Sequence, residues 1–128
     1  MKRREQADLF LRKAAQDEAV LDLILTSDRV SDEIVGFHCQ QAAEKLLKAL
    51  LSDLGIPFKR THDIGGLTDL LAKSGTALPH EFSELDTLTP FGAVYRYEDY
   101  DAGSTIERDQ VRRMIANLRE WVERRIQD

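Results

Sequence analysis

Residues 31–57 read SDEIVGFHCQQAAEKLLKALLSDLGIP, and this stretch decides the fold. Ser31 suits a helix N-cap, and Asp32 and Glu33 fall in the first turn, where the helix dipole favours negative charge. The helix runs to Leu54 and stops at Gly55, with Pro57 two residues later, a pairing that ends helices. Placed at ~100° per residue, Val35, Cys39, Ala42, Ala43, Leu46, Leu47, Ala49, Leu50, Leu51 and Leu54 cover about half the circumference. A helix resting on one neighbour needs an apolar arc of only ~100°. This helix is therefore expected at the centre, touching several neighbours or a second subunit.

Reading outward, Phe10, Ala14, Leu21 and Ile24 recur at three- and four-residue steps and predict a first helix from Arg4 to Leu25. Thr26-Ser27-Asp28-Arg29 breaks it. Beyond the central helix, Thr61 can cap a short third helix with Leu67, Leu70 and Leu71 on its apolar side, ended by Lys73-Ser74-Gly75. Pro79 suits the first turn of a fourth, with Phe82, Leu85 and Leu88 in phase, which Pro90 and Gly92 disturb. Pro90 to Tyr97 has the aromatic and β-branched content of a strand but no second strand to pair with, and reads as an irregular helix end. Ser104-Thr105-Ile106-Glu107 is a capping box opening a last helix that reaches Ile126, with Val111, Ile115, Leu118 and Val122 inward. Short connections imply antiparallel neighbours. The expectation is an all-α, up-and-down bundle of four to five antiparallel helices, one domain over residues 1–128.

Composition agrees with a globular domain. Of 128 residues, 42% are apolar and 32% charged, so a core can form without a disulfide or metal staple. The net charge of −5 gives the whole chain no basic footprint for wrapping a duplex. Charge is uneven, however: six arginines lie between Arg108 and Arg125, so a local, nucleotide-sized site stays open. The lone Cys39 cannot pair internally, and no run of ~18 apolar residues exists, which points to the cytoplasm and away from the membrane.

The histidines, His38, His62 and His80, form no i, i+4 pair, and Cys39 has no CxxC partner, so no metal or cofactor is expected. No glycine-rich phosphate loop follows a strand, and no nucleophile elbow is present. The central helix says more. His38, Gln41, Lys45, Lys48 and Ser52 share one stripe, while Gln40 and Glu44 border the apolar arc. One reading is a solvated face with a Glu44–Lys48 pair worth a few tenths of a kcal/mol. The other is that Gln40, Glu44 and Lys48 line a groove beside the arginine-rich last helix and hold a polar ligand. Arg96, between Tyr95 and Tyr97, can either grip phosphate through its planar fork or pair with Glu98 or Asp99. Thr61-His62-Asp63 is either part of the same site or a helix cap.

In order along the chain, Phe37 to Ala49 (FHCQQAAEKLLKA), Thr61-His62-Asp63-Ile64, Leu85 to Leu88, and Arg96-Tyr97 resemble the HEPN domain family, small helical bundles named for nucleotide binding. The resemblance implies a homodimer that binds a nucleotide such as ATP, or RNA, and partners a minimal nucleotidyltransferase in a toxin–antitoxin-like module. It implies nucleotide contacts at Gln40, Gln41, Glu44, Lys48, His62, Asp63, Arg96 and Tyr97, with Tyr97 or Tyr100 as acceptors of a modification. Ribonuclease members carry an Arg followed four to six residues later by His. Arg96 matches the Arg, but Tyr97 to Gly103 contains no His, and a Tyr of pKa ~10 replaces that proton carrier poorly at neutral pH. The departure favours a non-catalytic member. Two alternatives stand beside it: a metal-independent ribonuclease toxin in which a Tyr or His62 replaces the missing base, and a purely structural dimerisation module.

Overall fold

The structure is a computed structural model that describes residues 2–92 and 106–127. Helix α1 spans Lys2–Ile24, α2 Asp32–Leu54, α3 Ile64–Lys73 and α4 Arg108–Gln127, with 3₁₀ segments at His80–Phe82 and Leu85–Gly92 between α3 and α4. No strand occurs among the described residues, and the all-helical bundle stands as expected.

The ends of α2 follow from local chemistry. The Ser31 hydroxyl accepts from the Ile34 N–H at 3.3 Å, and Gly55 turns left-handed (φ 73°) so that chain N–H groups reach the last carbonyls. From Ala42 to Ser52 every residue except Lys45 is buried. Helices α1, α3, α4 and the second 3₁₀ segment all pack on α2, so neighbours within the chain cover the wide apolar arc. Leu54 departs from the expected arc: it sits in the last turn, 40% exposed, beyond the reach of those neighbours. Each buried leucine contributes about 1.5–3 kcal/mol relative to exposure, which makes α2 the main source of hydrophobic stabilisation.

Charged side chains fix the helix directions. Arg4 binds Asp53 while Asp17 binds His38 and Lys45, so α1 and α2 run antiparallel. Arg4 also reaches the Ile126 carbonyl, Arg119 the Leu11 carbonyl, and Arg112 Glu18 and Asp22, so α4 is antiparallel to α1 as well. Arg108 sits at the end of this seam. Its guanidinium donates to the carbonyls of Ile24, Leu25, Ser27 and Val30 and to Asp32, closing the open end of α1.

Two expectations are corrected. Helix α3 starts at Ile64, with Asp63 rather than Thr61 at the N-cap position and no cap bond from the Asp63 side chain. Thr61 instead accepts from the Asp63 N–H, while the first turn of α3 is satisfied from afar: Ile64 N–H donates to Thr89 Oγ1 and Gly65 N–H to Asp86 Oδ1. The fourth helix is not an α-helix but the two 3₁₀ segments. Pro90 has no N–H to give, and Asp86 and Thr89 are already committed to α3. Ser104, expected as a helix cap, lies outside the described residues, as does most of the stretch weighed as a strand.

A buried polar cluster as the candidate functional site

Gln40, Glu44 and Lys48 stand one turn apart on α2, at i, i+4 and i+8, so they form a single row. The turn at Gly55 sends the chain back along that row. Phe58 comes to lie with its ring 5.7 Å from Lys48 Nζ, and Thr61 and His62 arrive opposite Lys48, Glu44 and Gln40.

Glu44 is the hub. One oxygen accepts from Gln40 Nε2 at 3.0 Å and meets His62 Nδ1 at 2.7 Å; the other accepts from Lys48 Nζ at 2.8 Å. Lys48 also donates to the Thr61 carbonyl at 3.0 Å, and Gln40 to the His62 carbonyl at 2.9 Å. Gln41 extends the network outward by donating to Gln40 Oε1 at 2.7 Å. The row is not a solvated face: Gln40, Glu44 and Lys48 are all buried, and the expected surface pair is an interior one. Burial on its own would raise the Glu44 pKa, but hydrogen bonds from Lys48, His62 and Gln40, with the Lys48 charge, outweigh it and hold the carboxyl below its usual value.

An ionised Glu44 has only acceptor lone pairs, so His62 must present Nδ1–H to it. That fixes the tautomer: in the neutral ring the lone pair sits on Nε2. The His62 side chain is 56% exposed, whereas that of Glu44 is 6%. A buried carboxylate thus orients an accessible imidazole, an arrangement able to accept a hydrogen bond or a proton from a ligand.

The other expected residues divide. Asp63 is exposed, its carboxylate turned toward Gly66 at the start of α3 and outside the Glu44 network. Of the α4 arginines beside which this row was expected to form a groove, Arg108, Arg112 and Arg119 are engaged with α1, the turn that follows it and Asp32 at the start of α2. Arg96, Tyr97 and Tyr100 lie outside the described residues. Gly92 is packed so closely on Gln40 that an added Cβ would lie 2.7 Å from its Cδ. The chain therefore passes the Gln40 end of the cluster four positions before Arg96.

Sequence reasoning missed a second carboxylate–imidazole pair. Asp17 of α1 receives Lys45 Nζ at 2.6 Å and contacts His38 Nδ1 at 3.0 Å. The stripe on α2 was visible, but its partner lies 21 residues from His38 on another helix, and no local signal joins them. Among the described residues no group of three His, Cys, Asp or Glu side chains is placed to hold a metal, and no helix is long and apolar enough to cross a membrane.

Comparison with known proteins gives one match. The model of the HEPN domain family fits residues 5–127. No curated protein and no solved structure compared with the chain matches it. The family match spans nearly the whole chain, including the Gln40–Glu44–Lys48 row, His62 and Arg96, and on that ground the chain belongs to the HEPN domain family.

Proposed function

We propose that this HEPN domain binds a nucleotide, ATP or a relative of it, at the Glu44 cluster, and acts as the non-catalytic, homodimeric partner of a minimal nucleotidyltransferase in a toxin–antitoxin-like module. The observation that carries the binding reading is the Gln40–Glu44–Lys48–His62 network. Interior ion pairs are costly to bury and add little stability of their own, so a fully satisfied one that ends in a half-exposed imidazole has the marks of a site. Family membership supports the same ligand class.

The roles within the row are unequal. His62 faces outward, and Gln41 continues the network toward solvent; these two, with Arg96 and Tyr97 further along, are the ligand contacts in this reading. Lys48 is held by Glu44 and the Thr61 carbonyl, so together with Gln40 and Glu44 it positions His62. Titration calorimetry with ATP, ADP and GTP tests this. Saturable heat that Arg96→Ala or His62→Ala weakens at least tenfold supports it; absence of heat with every nucleotide removes it. Co-expression with the product of an adjacent nucleotidyltransferase gene, followed by a pull-down, tests the partnership, and light scattering tests the dimer.

One observation favours a second reading, the metal-independent ribonuclease. The Glu44–His62 pair supplies a tautomer-fixed base of the kind the motif lacks after Arg96. It predicts cleavage of RNA in EDTA that His62→Ala abolishes. RNA left intact after long incubation argues against it.

A further inference from the structure

Away from Glu44, a groove of about 300 Å³ lies between α3 and the two 3₁₀ segments. Its floor is apolar, made by Leu78, Phe82 and Leu85, of which Phe82 and Leu85 belong to the core. Its rim carries the Asp69 and Asp86 carboxylates, and among the described residues no Lys or Arg lines it. The two acids differ. Asp86 Oδ1 already accepts from Gly65 N–H and Thr89 Oγ1, which fixes that carboxylate in place. Asp69 is exposed on α3 and makes no hydrogen bond or ion pair with the described residues. His80 also stands on the rim, exposed at the start of the first 3₁₀ segment.

We propose that this groove is a second binding site, for a small organic ammonium ion with an apolar body. The volume matches about ten water-sized groups and stands at the lower end of ligand pockets. An apolar body covers Ala72, Ala77, Leu78 and Pro79, the more accessible apolar groups of the lining, over a floor closed by Phe82 and Leu85, while the ammonium donates to Asp69 and to the fixed carboxylate of Asp86. Anionic ligands are disfavoured by both carboxylates and by the chain's net charge of −5. The site shares no residue with the Glu44 cluster and does not depend on nucleotide binding.

The test is a ¹⁵N–¹H NMR titration of the full chain with benzylammonium, and with benzyl alcohol and benzoate as neutral and anionic counterparts of the same shape. Saturable shifts are expected at Thr68, Ala72, Leu78 and Ser83 with benzylammonium, and weak or absent ones with the other two. Asp69→Asn removes an exposed charge from α3 without touching the core, and is expected to weaken binding about two- to fivefold. Ala72→Phe, also on the exposed side of α3, fills the groove and abolishes binding while the spectrum stays dispersed. Absence of saturation, shifts confined to other surfaces, equal binding of benzyl alcohol, or an unchanged affinity in Asp69→Asn would each overturn the proposal.

Discussion

Glu44 carries the largest consequence for its size. Three donors converge on a carboxylate that is almost wholly buried, so deleting it strands the Lys48 ammonium and the Gln40 amide in the interior. Removing one partner of a buried pair costs about 3–5 kcal/mol, and Glu44→Ala should lose about 3 kcal/mol in urea unfolding. Glu44→Gln keeps the shape and one acceptor, so it should lose less; equal losses would show that packing rather than charge governs the site. The pH dependence has a definite sign. A carboxyl whose folded pKa lies below its ordinary 4.5 stabilises the fold above that pH, and the contribution fades as acid protonates the folded form. Wild type should therefore lose stability below about pH 4.5 more steeply than Glu44→Gln. Cys39, beside this row but wholly buried, has its thiol pushed up to about 12 by desolvation. At neutral pH it should resist iodoacetamide in the folded chain and react in urea, as mass spectrometry would report.

Among the elements, α2 was the most legible, because its signals are local. Ser31, Gly55 and the apolar arc belong to this one element, and each, Leu54 of the arc excepted, does in the structure what its residue type favours. The start of α3 was not legible, because its cap donors find Asp86 and Thr89 more than twenty residues away. The site stands between these cases. Gln40, Glu44 and Lys48 could be read as a row, but their burial depends on residues 56–63 folding back across them, which no periodicity encodes. Two tests belong at this scale. Ser52, in the buried stretch of α2, has a hydroxyl with no hydrogen-bond partner among the described residues. Since an unsatisfied buried hydroxyl is a liability, Ser52→Ala should be neutral or stabilising by up to about 1 kcal/mol, and a clear loss in thermal unfolding would contradict this. Gly36 faces the Phe91 ring so closely that a Cβ there would overlap it. Gly36→Ala should therefore cost about 1–3 kcal/mol despite the better helix propensity of alanine, and a gain in stability would show that Phe91 moves freely.

At the scale of the whole molecule, the question is how a helix with six arginines is accommodated in a chain of net charge −5. Arg112 and Arg119 converge on Glu18, which is itself buried, and Arg112 also takes Asp22, so these two arginines of α4 are neutralised by the acidic side of α1. The same contacts hold the two outer helices against the α2 core, and they tie the charge pattern to the fold. Glu18→Gln separates these roles from simple loss of packing, since it keeps the side chain's volume. It leaves two guanidinium groups with a weaker, neutral acceptor, for an expected loss of about 1–2 kcal/mol on urea unfolding. It also exposes net positive charge on α4, so the variant should elute from heparin at higher salt than wild type while still folded. A variant that loses stability without gaining heparin retention would mean that the α4 arginines find other acids once Glu18 is gone. The seam would then be one of several equivalent pairings, and the net charge of −5 alone, rather than this arrangement, would oppose contact with long polyanions.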